Sequence, residues 1–365
     1  MPKTPQRWIA VLGRRDEPTD ALEDYCRRLA SALEETLEEK RCSLELFRIA
    51  WAEQGWPRAL RDLDKAVVDR KASWALVQYT ALSWSSRGFP NRFVGLIRRL
   101  KRAGMNVAIV FHDPFPFAGF RLRDRLRRRV QLAVMSRSAR LADRIITTIS
   151  PDCVPWMQTD SIARKATLVP VGSNLCAPPP YDKSSLQQPP VVAVFGVTER
   201  QREEALLIAT VVSHAAEQAV PLRLVVFGRG AKLAEQTLSE SLRGSPVQLA
   251  VFDVLNSAEA GALLANSDVQ LFVRSGLASN RGSAIAGIVC GLPIVGFAGP
   301  ETSFPITEAG VRLVPLGNAE ELTRELLAVL QDEKLHESLC QRSREAAGRH
   351  FSWKRIAERY LAALG

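Results

Sequence analysis

The chain has no apolar run approaching the ~18 residues needed to cross a bilayer, no Cys-x-x-Cys, and four histidines in 365 residues. No membrane-spanning helix is therefore expected. The six cysteines (Cys26, Cys42, Cys153, Cys176, Cys290, Cys340) are dispersed and read as free thiols, neither a disulfide framework nor a zinc site. The histidines are equally scattered, so no metal and no resident cofactor is expected. The first residues, MPKTPQRWIAVLGRRDEP, lack the apolar stretch and small-residue cleavage site of a signal peptide. A cytoplasmic address is the expectation. No Asp-x-Asp closes a strand, no Gly-x-Ser-x-Gly elbow occurs, and no Gly-Lys-[Ser/Thr] phosphate loop is found. These absences weigh against an Asp-x-Asp metal-dependent transferase, a serine hydrolase and a P-loop nucleotidase.

What is present is the composition of a globular protein, 46% hydrophobic and 24% charged. The length exceeds one ordinary core and fits two domains. The net charge of +10 is concentrated. Between Arg92 and Arg144 there are fourteen Arg or Lys against three acids, a net +11, so the remainder is close to neutral. At the centre of that stretch, Leu122, Leu126, Val130 and Val134 recur every four residues, as on one helix face. Arg121, Arg125, Arg127, Arg128 and Arg129 crowd the other faces. A basic amphipathic helix of this kind suits an anionic membrane surface, with the protein peripheral on the inner face of the cytoplasmic membrane. The bland alternative is a solvated helix docking its Leu/Val stripe on its own domain. Nucleic acid is not expected, because no aromatic interleaving or known motif supports it.

Apolar runs alternate with amphipathic helices. Trp8 to Leu12, Leu44 to Phe47, Trp74 to Tyr79, Val107 to Phe111 and Ile145 to Thr148 read as strands; Asp20 to Leu37 and Asn91 to Arg102 read as helices. A Pro-rich stretch, 175–190, reads as a linker. The pattern then restarts with strands at Val191 to Phe195, Leu222 to Phe227, Leu249 to Phe252, Val269 to Phe272 and Ile294 to Phe297. Helices are expected at Arg202 to Glu217, Ala258 to Ala265, Ala284 to Cys290, Ala319 to Gln331 and Glu333 to Ala347, with a last one ending at Leu364. Continuous apolar strands alternating with helices imply parallel sheets covered on both faces. The expected fold is α/β, two Rossmann-like domains spanning 1–174 (with 352–365) and 191–351, with a cleft between them.

Ligands of open parallel sheets lie beyond the carboxyl ends of the strands, and the informative loops fall there. Gly13 and Arg14 follow the first strand, where the glycine allows close approach to the backbone or simply makes a turn. His112 and Asp113 follow another; the histidine either meets a ligand or bonds its neighbour Asp113. Gly196 and Thr198 lead into a helix carrying Arg202, which either grips an anion or pairs with Glu199, Glu203 or Glu204. Arg229 sits in a Gly-Arg-Gly turn too short for a dinucleotide fingerprint. Asn280-Arg281-Gly282-Ser283 precedes a short apolar helix, and Ser283 is expected to cap it. The free amides of that helix start, with Arg281, would bind a phosphate or another anion; the alternative is an ordinary loop-helix-strand connection.

In order and spacing these pieces resemble the GT-B glycosyltransferases, and among them the retaining glycosyltransferase family 4. The resemblance rests on Val110-Phe111-His112-Asp113-Pro114, Ala142 to Ser150, Thr167 to Asn174, Asn266 to Val273, Cys290-Gly291-Leu292-Pro293 and Phe351-Ser352-Trp353. A bacterial subgroup is closer still, on Arg281-Gly282-Ser283, Gly228-Arg229-Gly230 and Gly299-Pro300-Glu301-Thr302. The resemblance implies transfer of a sugar from a nucleotide-sugar donor to a glycan or lipid-linked acceptor, without metal and with retention. It places His112 and Asp113 at the chemistry, and Gly13 and Arg14 on the acceptor side. Donor binding falls to Gly196, Thr198, Arg202, Arg229, Asn280, Arg281, Gly282 and Ser283. It also implies a C-terminal helix that crosses back to the first domain. Two donor-site glutamates usual in the family fall on Ala278 and Ala286, and its usual Gly-Arg arginine falls on Val197. Those departures keep a second reading open, a catalytically inactive nucleotide- or glycan-binding subunit. A sugar-nucleotide epimerase would need a carboxylate pair that the sequence does not supply.

Overall fold

The computed structural model describes residues 6–17, 20–35, 42–70, 72–175, 189–198, 200–218 and 221–365. Most of the expected linker, at 176–188, lies outside the described residues, as do Cys176 and Glu199. The chain forms two compact units, Met1–Pro170 with Trp353–Gly365, and Val171–Ser352.

The first unit runs β1 (Gln6–Leu12), α1 (Ala21–Glu35), β2 (Cys42–Arg48), α2 (Trp51–Gln54), α3 (Trp56–Arg70), β3 (Trp74–Tyr79), α4 (Phe93–Arg102), β4 (Asn106–Phe111), α5 (Leu122–Leu141), β5 (Arg144–Thr147), α6 (Asp160–Ala163) and β6 (Ala166–Leu168). Among the described residues these strands make one parallel sheet in the order β2-β1-β3-β4-β5-β6. The core follows from the strands' continuous apolar runs: Ile9, Val11, Val77, Val107, Ile109 and Ile145 are buried against Phe93, Ile97 and Met135 from the covering helices. On α4, Phe93, Val94, Leu96, Ile97 and Leu100 make one buried stripe, the spacing of a helix face.

The second unit runs β7 (Val191–Phe195), α7 (Gln201–Gln218), β8 (Leu222–Phe227), α8 (Ala231–Ser241), β9 (Val247–Val251), α9 (Ser257–Ala265), β10 (Val269–Phe272), α10 (Gly282–Val289), β11 (Ile294–Ala298), β12 (Val311–Pro315), α11 (Ala319–Gln331) and α12 (Glu333–Ala346). Its sheet, again parallel, has the order β12-β11-β10-β7-β8-β9. Read from the other edge, this is the doubly wound dinucleotide-binding order, and strand order reverses between β7 and β10. After α12 the chain returns to the first unit as α13 (Trp353–Leu364). There Tyr360 bonds Tyr25 of α1 hydroxyl to hydroxyl at 3.1 Å, and Trp353 packs on the same tyrosine with ring centres 5.2 Å apart.

The apolar stripe of α5 does not lie on one face. Leu122 and Leu126 are exposed, Val130 is half-buried and Val134 is buried. At 3.6 residues per turn, a four-residue step overshoots by about 40°. Leu122 and Val134 therefore point about 120° apart, one to water and one to the core.

Two glycines hold the strand-end loops of the second unit together. Gly230 has φ +81°, and a Cβ there would lie 1.9 Å from the carbonyl oxygen of Val197; at Gly228, φ +90°, it would meet the Phe195 ring at 2.9 Å. Gly230→Ala is expected to destabilise the second unit by about 1–3 kcal/mol through backbone strain. Urea unfolding followed by circular dichroism checks this; a variant as stable as the parent would contradict the packing.

Candidate functional site

The candidate site lies where the second sheet reverses order, at the carboxyl ends of β7 and β10. Arg274 leaves β10 two residues past its end and turns toward β7. Its guanidinium donates to Thr198 Oγ1 at 3.1 Å and to the Phe195 carbonyl at 3.5 Å, and it also bonds Ser283 Oγ. It lies over the Phe272 ring, 5.0 Å from the centroid. One cation thus joins the loop after β7 to the first turn of α10. Sequence reading overlooked Arg274, although it stands only two residues past a predicted strand.

The structure corrects the role expected of Ser283. The helix α10 begins at Gly282, its N-cap is Arg281, and no side chain caps it. Ser283 stands inside the first turn and its hydroxyl is taken by Arg274. The helix start therefore keeps its exposed positive end. Gly282 is exposed, with nothing within 4 Å of where a Cβ would stand. Buried Gln270 anchors the turn by donating to the Ser283 carbonyl at 3.0 Å, in space left by Gly287, where a Cβ would sit 1.9 Å from the Gln270 amide oxygen.

Arg281 is beside this helix start, with its side chain 26% exposed. It donates to Ser275 Oγ and to Glu301, each at 3.2 Å. Its charge is therefore shared with a carboxylate rather than wholly offered to a ligand. Glu301 belongs to the Gly299-Pro300-Glu301-Thr302 stretch, which is held by Thr302 bonding the Leu277 carbonyl at 2.6 Å and by the backbones of Gly276 and Gly299 in direct contact. Asn280 is half-buried in the same loop.

Gly196 is drawn toward β8 by its amide bonding the Phe227 carbonyl at 2.8 Å, and Val197 N–H bonds the Arg229 carbonyl at 3.0 Å. Gly196, Thr198, Arg229, Arg274 and Ser283 thus gather around one strand-end region; the Arg229 side chain is exposed. The start of α7 differs from that of α10. Buried Glu204 accepts from Thr198 N–H at 3.2 Å and Arg200 N–H at 2.9 Å, so a carboxylate already occupies that helix end. Arg200 pairs at 3.1 Å with Glu203, both exposed, and Arg202 is exposed on the first turn. Beside Arg274 opens a cavity of about 350 Å³, lined also by Ser275, Glu204, Leu207 and Phe297. Ala278, Ala286 and Val197, where the resemblance would place charged residues, are buried at 0%, 2% and 0% exposure. Among the described residues no three His, Cys, Asp or Glu side chains gather as a metal-holding group.

In the first unit, His112 follows β4. Its Nε2 is 2.7 Å from Gln78 Oε1 on β3, and its ring meets Tyr25 edge-on with centroids 5.0 Å apart. Removal from water lowers its pKa to about 4, so the imidazole is neutral at pH 7. The neighbouring Asp113 is exposed and accepts a weak 3.4 Å bond from Phe115 N–H. At the β1–β3 boundary, where this sheet's order reverses, Gly13 lets the Ser83 carbonyl in, since a Cβ would be 2.3 Å from its oxygen. Arg14 N–H bonds that same carbonyl at 2.8 Å. A cavity of about 260 Å³ adjoins Arg14, Asp20, Thr80 and Ser83.

No protein-family model matches the sequence, and no curated protein matches it. Solved structures do. HepE of Anabaena, solved with UDP and glucose, is 16% identical with a TM-score of 0.67, covering 98% of this chain and 99% of its own. Sucrose-phosphate synthase of Thermosynechococcus elongatus is 16% identical with a TM-score of 0.69, covering 98% of each chain. A Listeria monocytogenes protein provisionally named UDP-N-acetylglucosamine 2-epimerase is 13% identical with a TM-score of 0.60, covering 99% of this chain and 96% of its own. With two six-stranded parallel sheets and this likeness across nearly the whole chain, the fold is GT-B.

The half-buried, neutral His112 has a pH signature. Its folded pKa lies below the ordinary 6.5, so between about pH 6.5 and pH 4 the unfolded chain binds the extra proton. Stability is then lost as pH falls through that window, by up to about 1.4 kcal/mol per pH unit. His112→Gln is expected to flatten this dependence. All seven tryptophans belong to the first unit, so their fluorescence reports on it alone. An unchanged slope in the variant would show that His112 is not the group responsible.

Proposed function

We propose that this chain transfers a sugar from a nucleotide-diphosphate donor to a glycan or lipid-linked acceptor, and that the second unit holds the donor. The observation that carries this reading is Arg274 fixed by Thr198 and Ser283 at the uncapped start of α10, where strand order reverses. HepE of the same fold, solved with UDP-glucose, supports a nucleotide sugar as the donor class.

The chemistry follows from charge. When the glycosidic bond breaks, negative charge grows on the departing diphosphate and positive charge on the sugar carbon. Arg274, the α10 amides of Gly282 and Ser283, and Arg281 supply fixed positive potential for the first. Guanidinium groups in this role let the reaction proceed without metal. Gly196 permits close approach of the ligand; Thr198, Asn280, Arg202 and Arg229 complete the donor side. His112 is assigned to the sugar and Asp113 to its neighbourhood. A neutral imidazole can bond a sugar hydroxyl without setting a cation against the positive sugar carbon. Gly13 and Arg14 are assigned to the acceptor side, and retention of configuration completes the reading.

A second reading has its own support. Ala278 and Ala286 are packed core positions, so the glutamates usual in the resembled family have no counterpart there. A nucleotide- or glycan-binding subunit without turnover fits that loss. An epimerase fits less well, because Glu204 and Glu301 are engaged by backbone amides and by Arg281. Release of nucleoside diphosphate across a panel of UDP- and GDP-sugars separates the readings; binding without release by any donor would favour the subunit. Arg274→Ala is expected to weaken UDP binding about 10- to 100-fold, the ~1.5–3 kcal/mol of a hydrogen bond to a charged group. Arg281→Ala should cost less, since Glu301 already shares its charge. Undiminished UDP affinity in Arg274→Ala would contradict the assignment.

We place the anionic membrane surface, and with it a peripheral position on the inner face of the cytoplasmic membrane, at the start of α5. Phe120 is 96% and Leu122 84% exposed, with Arg121, Arg125, Arg128 and Arg129 exposed around them. Arg127 is not part of that face: it packs 4.5 Å from the Phe117 ring centre and 3.6 Å from Asp124. Reversing Arg125, Arg128 and Arg129 to Glu is expected to release the protein from phosphatidylglycerol vesicles. Equal sedimentation of variant and parent would refute this placement.

A further inference from the structure

Another cavity of the first unit lies among its covering helices. It is a groove of about 870 Å³ between α3, α4 and α5. Leu60, Val94, Leu96, Val130 and Val134 give it an apolar lining. Trp56 also lines it, stacked on Trp51 with ring centres 5.6 Å apart. The rim is cationic. Arg98 and Arg102 stand one turn apart on α4, Arg137 rises from α5, and Arg92 lies with its guanidinium 5.8 Å from the Trp56 ring centre. All four are exposed, and no carboxylate among the described residues pairs with any of them. Arg99, next to them, is already bound to Asp64.

Unneutralised cations gathered over a hydrocarbon floor repel one another until an anion arrives. A free anion would satisfy the arginines and leave the floor wet. A neutral chain would cover the floor and leave the charges unmet. A polynucleotide stacks its bases on aromatic rings, and this floor is aliphatic apart from Trp56. Only a molecule with an anionic head and an apolar tail answers both halves of the groove. We propose that this groove binds an anionic lipid, its phosphate held among Arg98, Arg102 and Arg137 and its chain laid along Val94, Val130 and Val134. This site is separate from the donor site, and the inference does not depend on sugar transfer.

Gly95 makes the idea testable without touching a charge. It lines the groove, sits inside α4, and has nothing within 4 Å of where a Cβ would be. Gly95→Trp should therefore fold and fill the groove, while Gly95→Ala should fold and leave it open. The full-length protein is titrated with lauroyl lysophosphatidic acid below its micelle concentration, followed by tryptophan fluorescence and calorimetry. Saturable binding is expected, at least about tenfold tighter than lauroyl lysophosphatidylcholine. Gly95→Trp, and separately the triple variant Arg98→Ala, Arg102→Ala, Arg137→Ala, should each weaken it about tenfold or more. Gly95→Ala and UDP affinity should be unchanged. Any of four results would overturn the proposal: equal binding of the choline lipid, full affinity in Gly95→Trp, complete displacement by millimolar inorganic phosphate, or tighter binding of a single-stranded oligonucleotide lost in the triple variant. Loss of UDP binding with lipid binding intact would instead count against the donor reading alone.

Discussion

The second unit is organised around a positive charge fixed where a parallel sheet changes direction. Beyond β7 and β10 the connections diverge to opposite faces and leave a crevice. Arg274 spans it, bound to Thr198 on one side and Ser283 on the other. The neighbouring sequence can be understood as what that bridge requires. Gly228 and Gly230 let the loop after β8 close against Phe195 and Val197. Gly287 makes room for Gln270, which sets the height of α10 against the sheet. Gly276 and Gly299 allow two loop backbones to touch, which carries Glu301 to Arg281. These positions are constrained by contact at the backbone, where no side-chain rotation can relieve a clash.

The first unit solves a different problem with the same sheet logic. Its strand-end histidine is stripped of charge by burial and held by Gln78 and Tyr25, so it offers hydrogen bonds without a field. The unit's positive charge is placed elsewhere, on α4 and α5, where the stretch from Arg92 to Arg144 carries a net +11. Part of it flanks exposed phenylalanine and leucine at the start of α5, and part rims an apolar groove. Exposed hydrocarbon is costly to leave in water, and that cost is the basis of the membrane and lipid proposals made for these two features.

Much of the fold was legible in the chain. Buried parallel strands such as Asn106–Phe111 and Val191–Phe195 read as nearly continuous apolar runs. The helix α3 was not anticipated: WPRALRDLDKAVVDR starts beside a proline and mixes charge through its apolar face. The shorter α8 was missed for a related reason, since its Gly-Arg-Gly entry reads as a turn. The site was legible only in part. Gly196, Thr198, Arg281 and Ser283 announced themselves through glycine and helix-start chemistry. Arg274 did not, because its partners are 76 and 9 residues away in sequence and only strand order brings Thr198 to it. The cap expected of Ser283 failed because α10 starts at Gly282, which moves that hydroxyl inside the first turn. The four-residue spacing on α5 misled because it drifts around the helix instead of marking a face.

The central claim is the location of the diphosphate, and a crystal structure of the protein soaked with UDP tests it most directly. The account predicts phosphate oxygens within hydrogen-bonding distance of the Arg274 guanidinium and the backbone amides of Gly282 and Ser283. Phosphates turned to solvent, or seated at the start of α7 in place of Glu204, would contradict it.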